Sequence, residues 1–379
     1  MRICIDARML GPENTRGIGR YIEELVQEML VLDAADTFIL VTRTADHPFK
    51  NHPSVETLVA DIRWYGLAEQ LKMPGVFRKA KADLVYVPHW NVPLLYYGPL
   101  VITIHDLLLR HFPLSAKMST RSWPLRLAKR FLYRVVVANA VSRARRILVP
   151  TEFVKSDIEF FYPSAKGKIS VTGEGMPMIG GLDLGAGTVS KPNPHDLASN
   201  YLLYVGSAYP HKGLDDLLVA WPKISERYPG LRLVMVGEKD IFMRRLEEKA
   251  ATSGLKNVEF RGRVADGQLS DLYFNASAFV YPTHFEGFGL PPLEALACGC
   301  PVVASDIPVL REVLGKNGAT YFRLGDADGI LAAVESVLAQ PEKSRAQARQ
   351  VALELRKRHV WSRTAWLTLE VFRQTLFNN

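Results

Sequence analysis

Two parallel-sheet α/β domains of Rossmann-like type are what the patterning of this chain predicts, and three observations carry the prediction. Short β-branched or apolar runs alternate with stretches of helical period, this rhythm breaks once near the middle, and it then restarts. In the first half, Arg2 to Ala7, Phe38 to Thr42, Leu84 to Val87, Leu100 to Ile104 and Arg146 to Pro150 read as buried strands, with Gly19 to Leu32 and Arg126 to Ser142 as helices. The break carries glycines at 173, 175, 180, 181, 185 and 187 and prolines at 177, 192 and 194, the composition of a mobile linker. Beyond it Tyr201 to Gly206, Leu231 to Gly237, Val258 to Arg261, Ala278 to Tyr281 and Pro301 to Ala304 read as a second set of strands. The expected division is therefore 1–175, a linker over 176–199, and 200–360. Apolar residues from Trp361 through Leu367, Leu369 and Phe372 to Leu376 predict an amphipathic terminal helix.

Composition sets outer bounds. At 379 residues, 48% hydrophobic and 23% charged, the chain is long enough for two ordinary cores. Met1 to Arg8 reads as a strand rather than a secretory signal, and no apolar run reaches membrane-spanning length, so a cytoplasmic protein is expected. Cys4, Cys298 and Cys300 are too few and too unevenly placed for a disulfide framework or a zinc site.

The formal charge of +8 matters less than its placement. Between Asp106 and Glu152 there is no acidic residue, while Arg110, Lys117, Arg121, Arg126, Lys129, Arg130, Arg134, Arg143, Arg145 and Arg146 accumulate among Trp123, Leu127, Phe131, Leu132, Tyr133 and Val135. Residues 110–146 suit a basic amphipathic helix against anionic lipid headgroups, at the inner face of the cytoplasmic membrane. A half-buried helix with a solvated basic face is the plainer reading. Nucleic acid is not expected as a partner, since no recognised nucleic-acid motif accompanies the charge.

Chemistry in such a sheet belongs to the turns beyond the carboxyl ends of its strands. One turn runs from Gly206 and Ser207 to His211, Lys212 and Gly213, with Lys212 where a phosphate would meet the following helix. A second runs from Pro282 through Glu286, Gly287, Phe288, Gly289 and Leu290 to Glu294, with prolines opening the helix and Glu294 expected in its first turn. Carboxylates accept paired hydrogen bonds from vicinal hydroxyls, so Glu286 and Glu294 are candidates to hold a sugar and a ribose, with loop amides receiving a diphosphate between them. Read singly, Glu294 is more readily a partner of the helix dipole and Glu286 a solvated side chain.

With seven residues between Glu286 and Glu294 in the frame EGFGLPPLEA, the chain resembles the retaining glycosyltransferases of family 4, which adopt the GT-B fold. The resemblance extends over essentially the whole chain: Ile18-Gly19-Arg20-Tyr21, Thr103-Ile104-His105-Asp106-Leu107, Gly206 through Lys212-Gly213, and Pro301-Val302-Val303-Ala304-Ser305 stand in family order. It is similar in particular to bacterial mannosyltransferase-like members that build cell-surface polysaccharides such as lipopolysaccharide.

The resemblance implies roles. Glu294 would bind ribose hydroxyls, Glu286 the transferred sugar, and the amides of Gly287, Phe288, Gly289 and Leu290 would lie near sugar and phosphate. Lys212 would neutralise the leaving diphosphate, with Gly206 and Ser207 close by. The family places an arginine beside that lysine, where this chain has His211. His105 would be the active-site histidine of the first domain, and Arg16, Gly17, Gly19 and Arg20 the loop opposite the donor phosphates. The terminal helix would cross back onto the first domain. The donor would be a nucleotide-sugar, GDP-mannose first and UDP- or dTDP-sugars as alternatives. The acceptor would be a saccharide or a polyprenyl-linked saccharide on the first domain, facing, across a cleft, the donor on the second.

Charge building on the departing diphosphate would be met by lysine and amides, so no metal and no cofactor is expected beyond the co-substrate. Asp215 and Asp216 fall inside a predicted helix rather than in a metal-binding loop. A nicotinamide oxidoreductase fits poorly, because the glycines around Gly17 and Gly19 lack the third of the dinucleotide fingerprint. A noncatalytic basic membrane- or nucleic-acid-binding protein would explain residues 107–151 and leave the second-half motifs idle.

Overall fold

A computed structural model describes residues 1–11, 17–33, 35–113, 123–176 and 200–377. They form two compact units, one from the described residues within 1–107, 120–175 and 359–379, the other from those within 108–119 and 176–358.

The first unit holds β1 (Arg2–Asp6), β2 (Thr37–Thr42), β3 (Val55–Val59), β4 (Leu84–Val87), β5 (Leu100–Thr103), β6 (Arg146–Val149) and β7 (Ile169–Val171) in one sheet of order β3-β2-β1-β4-β5-β6-β7. Every pairing is parallel, with Ile5 opposite Leu40 on one side and Tyr86 on the other. A parallel sheet covered on both faces has no solvent side, which is why Ile3, Cys4 and Ile5 are all buried and the strand reads as one apolar run. Its helices are α1 (Ile18–Leu32), α2 (Leu67–Lys79), then α3 (Leu108–His111), which groups with the second unit although it lies within 1–175, α4 (Trp123–Arg143) and α5 (Glu152–Phe161).

In the second unit β8 (Tyr201–Val205), β9 (Arg232–Val236), β10 (Val258–Arg261), β11 (Ala278–Tyr281), β12 (Val302–Ser305) and β13 (Thr320–Phe322) form a parallel sheet of order β10-β9-β8-β11-β12-β13. The helices α6 (Leu214–Arg227), α7 (Ile241–Thr252), α8 (Asp266–Asn275), α9 (Leu290–Ala297), α10 (Pro308–Leu314), α11 (Ala327–Leu338) and α12 (Pro341–Arg358) accompany it. In each sheet the chain reverses its direction of travel once, between β1 and β4 and between β8 and β11. A crevice opens at such a reversal, because the helices to either side leave in opposite directions.

The last helix, α13 (Trp361–Phe377), belongs to the first unit. Its stripe of Trp361, Ala365, Leu369 and Phe372 enters the core around β1 and α1, with Phe372 5.1 Å from the Tyr86 ring and Trp361 edge-on to Tyr21. Each such large side chain contributes about 1.5–3 kcal/mol when fully buried. The buried hydroxyls of Thr368 and Thr375 donate to carbonyls one turn back, at 2.7 and 2.6 Å, so the stripe leaves them satisfied.

Helix α4 divides its apolar residues. Tyr133, Val136, Val137, Ala140 and Val141 are buried, whereas Leu127, Phe131 and Leu132 are exposed, Phe131 by 71%. Lys117 and Arg121 lie outside the described residues, as does the linker from 177 to 199. Among the described residues no helix is long and apolar enough to cross a membrane.

Candidate active site

The two loops that the sequence singles out leave neighbouring strands at the reversal of the second sheet. After β8, Gly206 has a φ of 150°, and the loop runs through a 3-10 turn, Pro210–Lys212, to Gly213, whose φ of 65° is left-handed. A Cβ on Gly213 would lie 2.0 Å from the Pro282 carbonyl oxygen, so only glycine lets this loop approach the one after β11. The loops are also stitched together: the His284 amide donates to the His211 carbonyl at 2.7 Å, and the His284 ring meets Asp216 of α6 at 2.7 Å. Tyr204 donates to the Ser207 carbonyl at 2.7 Å and fixes the start of the first loop.

The result is an ion pair. Lys212 Nζ lies 2.6 Å from Glu286 Oε1, the two side chains 14% and 13% exposed. The same oxygen accepts from Tyr281 Oη at 2.6 Å and Thr283 Oγ1 at 2.8 Å. Three donors therefore converge on Oε1. Burial works against the Glu286 charge, but the nearby Lys212 cation and the hydrogen bonds from Lys212 and Tyr281 outweigh it and hold the carboxyl below its ordinary range. Burial, reinforced by Glu286, raises the Tyr281 phenol far above its ordinary value, so it remains a donor. Neither Tyr281 nor Thr283 stands out in the sequence, where Tyr281 reads as the end of a core strand and Thr283 as part of the turn that follows. Their two-residue spacing at a strand end, which places side chains on one side, was the available signal.

His211, in the place that the resemblance gives to an arginine, is an uncharged side chain. It is buried, and burial first, then the Lys212 charge, pushes its pKa down to about 3, so the imidazole is neutral at pH 7. Its backbone carbonyl rather than a ring charge organises the loop.

Glu294 sits on α9, half-buried, in the second turn of the helix rather than the expected first, because the helix opens at Leu290. Tyr273 Oη donates to Glu294 Oε2 at 3.0 Å. Pro291 and Pro292 carry no N–H, so the amides that this helix end offers come from the loop and from Leu290, around the left-handed Gly289 at φ 96°. Gly287, Phe288 and Gly289 are buried in that loop. At the start of α6, Asp215 and Asp216 already complement the helix dipole, so that terminus is a weaker anion site than the position of Lys212 suggests.

In the first unit, His105 follows β5 and is held at both ring nitrogens. Nδ1 is 3.1 Å from Glu174 Oε1 and Nε2 3.2 Å from the Pro88 carbonyl oxygen. Two acceptors are satisfied together only by the doubly protonated ring. Burial opposes that charge, but the Glu174 hydrogen bond and charge, with Asp106 and the Pro88 carbonyl, outweigh it and raise the pKa. Tyr21 packs edge-on against the ring at 4.6 Å. Gly17 precedes α1 with a φ of 64°, whereas Gly19 and Arg20 lie inside the first helical turn and not in the expected loop; Arg20 reaches Glu24 at 3.8 Å. Arg16 lies outside the described residues.

Two family models match in succession, "Glycosyltransferase Family 4" over residues 15–177 and "Glycosyl transferases group 1" over 188–354. The chain is 29% identical to the O-antigen chain mannosyltransferase RfbU of Salmonella typhimurium over 285 residues, 74% of this chain and 71% of that protein. It is 27% identical to O-antigen chain mannosyltransferase B of Escherichia coli, over 94% of this chain and 96% of that one. In structure it is similar to sucrose-phosphate synthase of Thermosynechococcus elongatus, with a TM-score of 0.75, 21% identity, and coverage of 100% and 99%.

Proposed function

We propose a donor and an acceptor for this chain, which belongs to the glycosyltransferases of the family 4 type, has the GT-B fold and is a hexosyltransferase. It transfers a hexose, mannose from GDP-mannose, with retention of anomeric configuration. The acceptor is a saccharide or a polyprenyl-linked saccharide in cell-surface polysaccharide assembly. Support for mannose and for this setting comes from the two relatives, both O-antigen chain mannosyltransferases.

The observation that carries the reading is the meeting of Lys212 and Glu286 at the sheet reversal, with Glu294 on the helix that follows. Donor binding takes Lys212 from Glu286 to the diphosphate, and Glu286 turns its acceptor capacity to hydroxyls of the transferred sugar. Glu294, oriented by Tyr273, receives the ribose hydroxyls. Bond cleavage at the anomeric carbon builds negative charge on the diphosphate, which Lys212 and the amides from Gly287 to Leu290 stabilise more in the transition state than in the ground state. His105 of the first unit acts in transfer, a role proposed from the resemblance. The reading requires no cofactor beyond the nucleotide-sugar. The exposed apolar residues of α4, with Arg130 and Arg134 between them, rest on an anionic membrane surface.

A thermal-shift and transfer screen across GDP-, UDP-, ADP- and dTDP-sugars tests the reading. Selective stabilisation and turnover with GDP-mannose is the expected result. Stabilisation by a different nucleotide overturns the donor assignment, and silence with all four overturns the site.

A further inference from the structure

The first unit contains a second built site. Beyond the carboxyl ends of β1 and β4, at the reversal of that sheet, a pocket is lined by Asp6, Arg8, Trp64, Glu69, His89 and Asn91. It encloses about 290 Å³ counting its open mouth, with room inside for about one water-sized group.

Its floor is charged and deeply buried. Arg8, 3% exposed, donates to Asp6 at 2.8 and 2.7 Å and to Glu69 Oε1 at 2.6 Å. Glu69, fully buried, accepts on its other oxygen from Asn91 Nδ2 at 2.6 Å and from the Tyr65 amide at 2.7 Å. Two carboxylates thus face one guanidinium. His89 adds no charge, since burial and then the His105 charge push its pKa down to about 3. Asp106, close enough to act on the Tyr65 phenol, is offset by the His105 cation that acts on His89, so the two carboxylates and one guanidinium leave one negative charge in surplus. A buried ion trio is poor value as a source of stability, because desolvation offsets most of the attraction, so its place at a sheet reversal points to recognition.

The sign selects the ligand. Surplus negative charge repels a phosphate or a carboxylate and welcomes hydroxyl donors. The half-buried Trp64 ring supplies the apolar surface that the carbon–hydrogen face of a sugar requires. The pocket also touches elements singled out by the motifs: Ile18 of α1 is in its wall, and so is Pro88, whose carbonyl holds His105.

We propose that this pocket receives a hydroxyl-bearing edge of the acceptor's terminal sugar and that this sugar is an uncharged hexopyranose. The proposal rests on the chain being a transferase whose first unit holds the acceptor. Saturation-transfer NMR on the full chain tests it, with the methyl α-glycosides of mannose, glucose and glucuronic acid as probes. At least one neutral glycoside receives saturation and the uronate does not. Trp64→Ala weakens the neutral probe about two- to ten-fold, and Asp6→Asn, which removes the surplus charge at constant shape, admits the uronate. Circular dichroism and melting verify that both variants fold; should Asp6→Asn fail to fold, the Trp64→Ala and wild-type comparisons decide. Absence of saturation with both neutral probes, an unchanged signal in Trp64→Ala, or equal signals from uronate and neutral sugars in the wild type overturns the proposal. Calorimetry with GDP on the same sample separates the two claims. A bound nucleotide with silent glycosides removes the pocket alone, whereas silence of both removes the transferase site as well.

Discussion

Replacing Lys212 by methionine removes a cation and leaves Glu286 buried with its charge. Breaking such a pair from one side costs about 3–5 kcal/mol. The lower end applies here, because Tyr281 and Thr283 still donate to Glu286 Oε1. A loss of about 3 kcal/mol lowers the melting of a unit of this size by about 6–12 °C. Glu286→Gln alone removes the counter-charge and leaves Lys212 a neutral amide oxygen and the Tyr281 hydroxyl, 3.3 Å away. The double variant Lys212→Met/Glu286→Gln buries no charge, so its cost falls short of the sum of the single costs by about 2 kcal/mol. The pH dependence has a definite sign. The Glu286 carboxyl is held below its unfolded value, so its contribution is present above about pH 4.5 and is lost as pH falls through the folded value. In Lys212→Met burial is left to dominate and the shift reverses. The gap between wild type and Lys212→Met is therefore widest near pH 7 and closes below pH 4.5. Denaturant unfolding followed by intrinsic fluorescence, to which the fully buried Trp221 of the second unit contributes, measures each variant at both pH values. Additive single costs, or a Lys212→Met protein as stable as wild type at pH 7, refute the reasoning.

Two further outcomes follow from the geometry. The His105 ring titrates above 6.5 in the wild type and falls towards that value in Glu174→Gln, as read by NMR of the imidazole carbons; because its folded pKa is raised, the stability it lends is complete below 6.5 and fades as pH rises through the folded value. A titration midpoint that Glu174→Gln leaves unmoved removes the pairing. Gly213→Ala meets both a left-handed backbone and the Pro282 carbonyl, so it costs at least about 1–3 kcal/mol and displaces Lys212; melting and transfer assays both fall, and a fully active, equally stable variant contradicts the close loop approach.

Legibility in the sequence followed burial. Strands covered on both faces, such as β1, β5 and β8, announce themselves as unbroken apolar runs. The strands absent from the expected set are β3, β7 and β13, the first spanning Val55–Val59 and the others three residues each; all are edge strands with one neighbour and partly exposed side chains, so neither length nor apolarity marks them. In the site, Lys212 and Glu286 were legible because loop position and order carry information along the chain. Tyr281 and Thr283 were not, since their service to Glu286 depends on which way a strand end points. Glu174 lies 69 residues from His105, and only the parallel packing of β5, β6 and β7 brings the two ends together. The resemblance places Gly19 and Arg20 in a loop, whereas the helical period already begins a helix at Gly19; α1 starts at Ile18, with Gly19 buried in its first turn.

In the proposed function Lys212 and Glu294 act on one nucleoside diphosphate. Calorimetric titration of GDP into wild type, Lys212→Met and Glu294→Gln at pH 7 tests it most directly. Loss of a charged hydrogen bond in each variant predicts at least about ten-fold weaker binding than wild type. Wild-type affinity in both folded variants contradicts the claim.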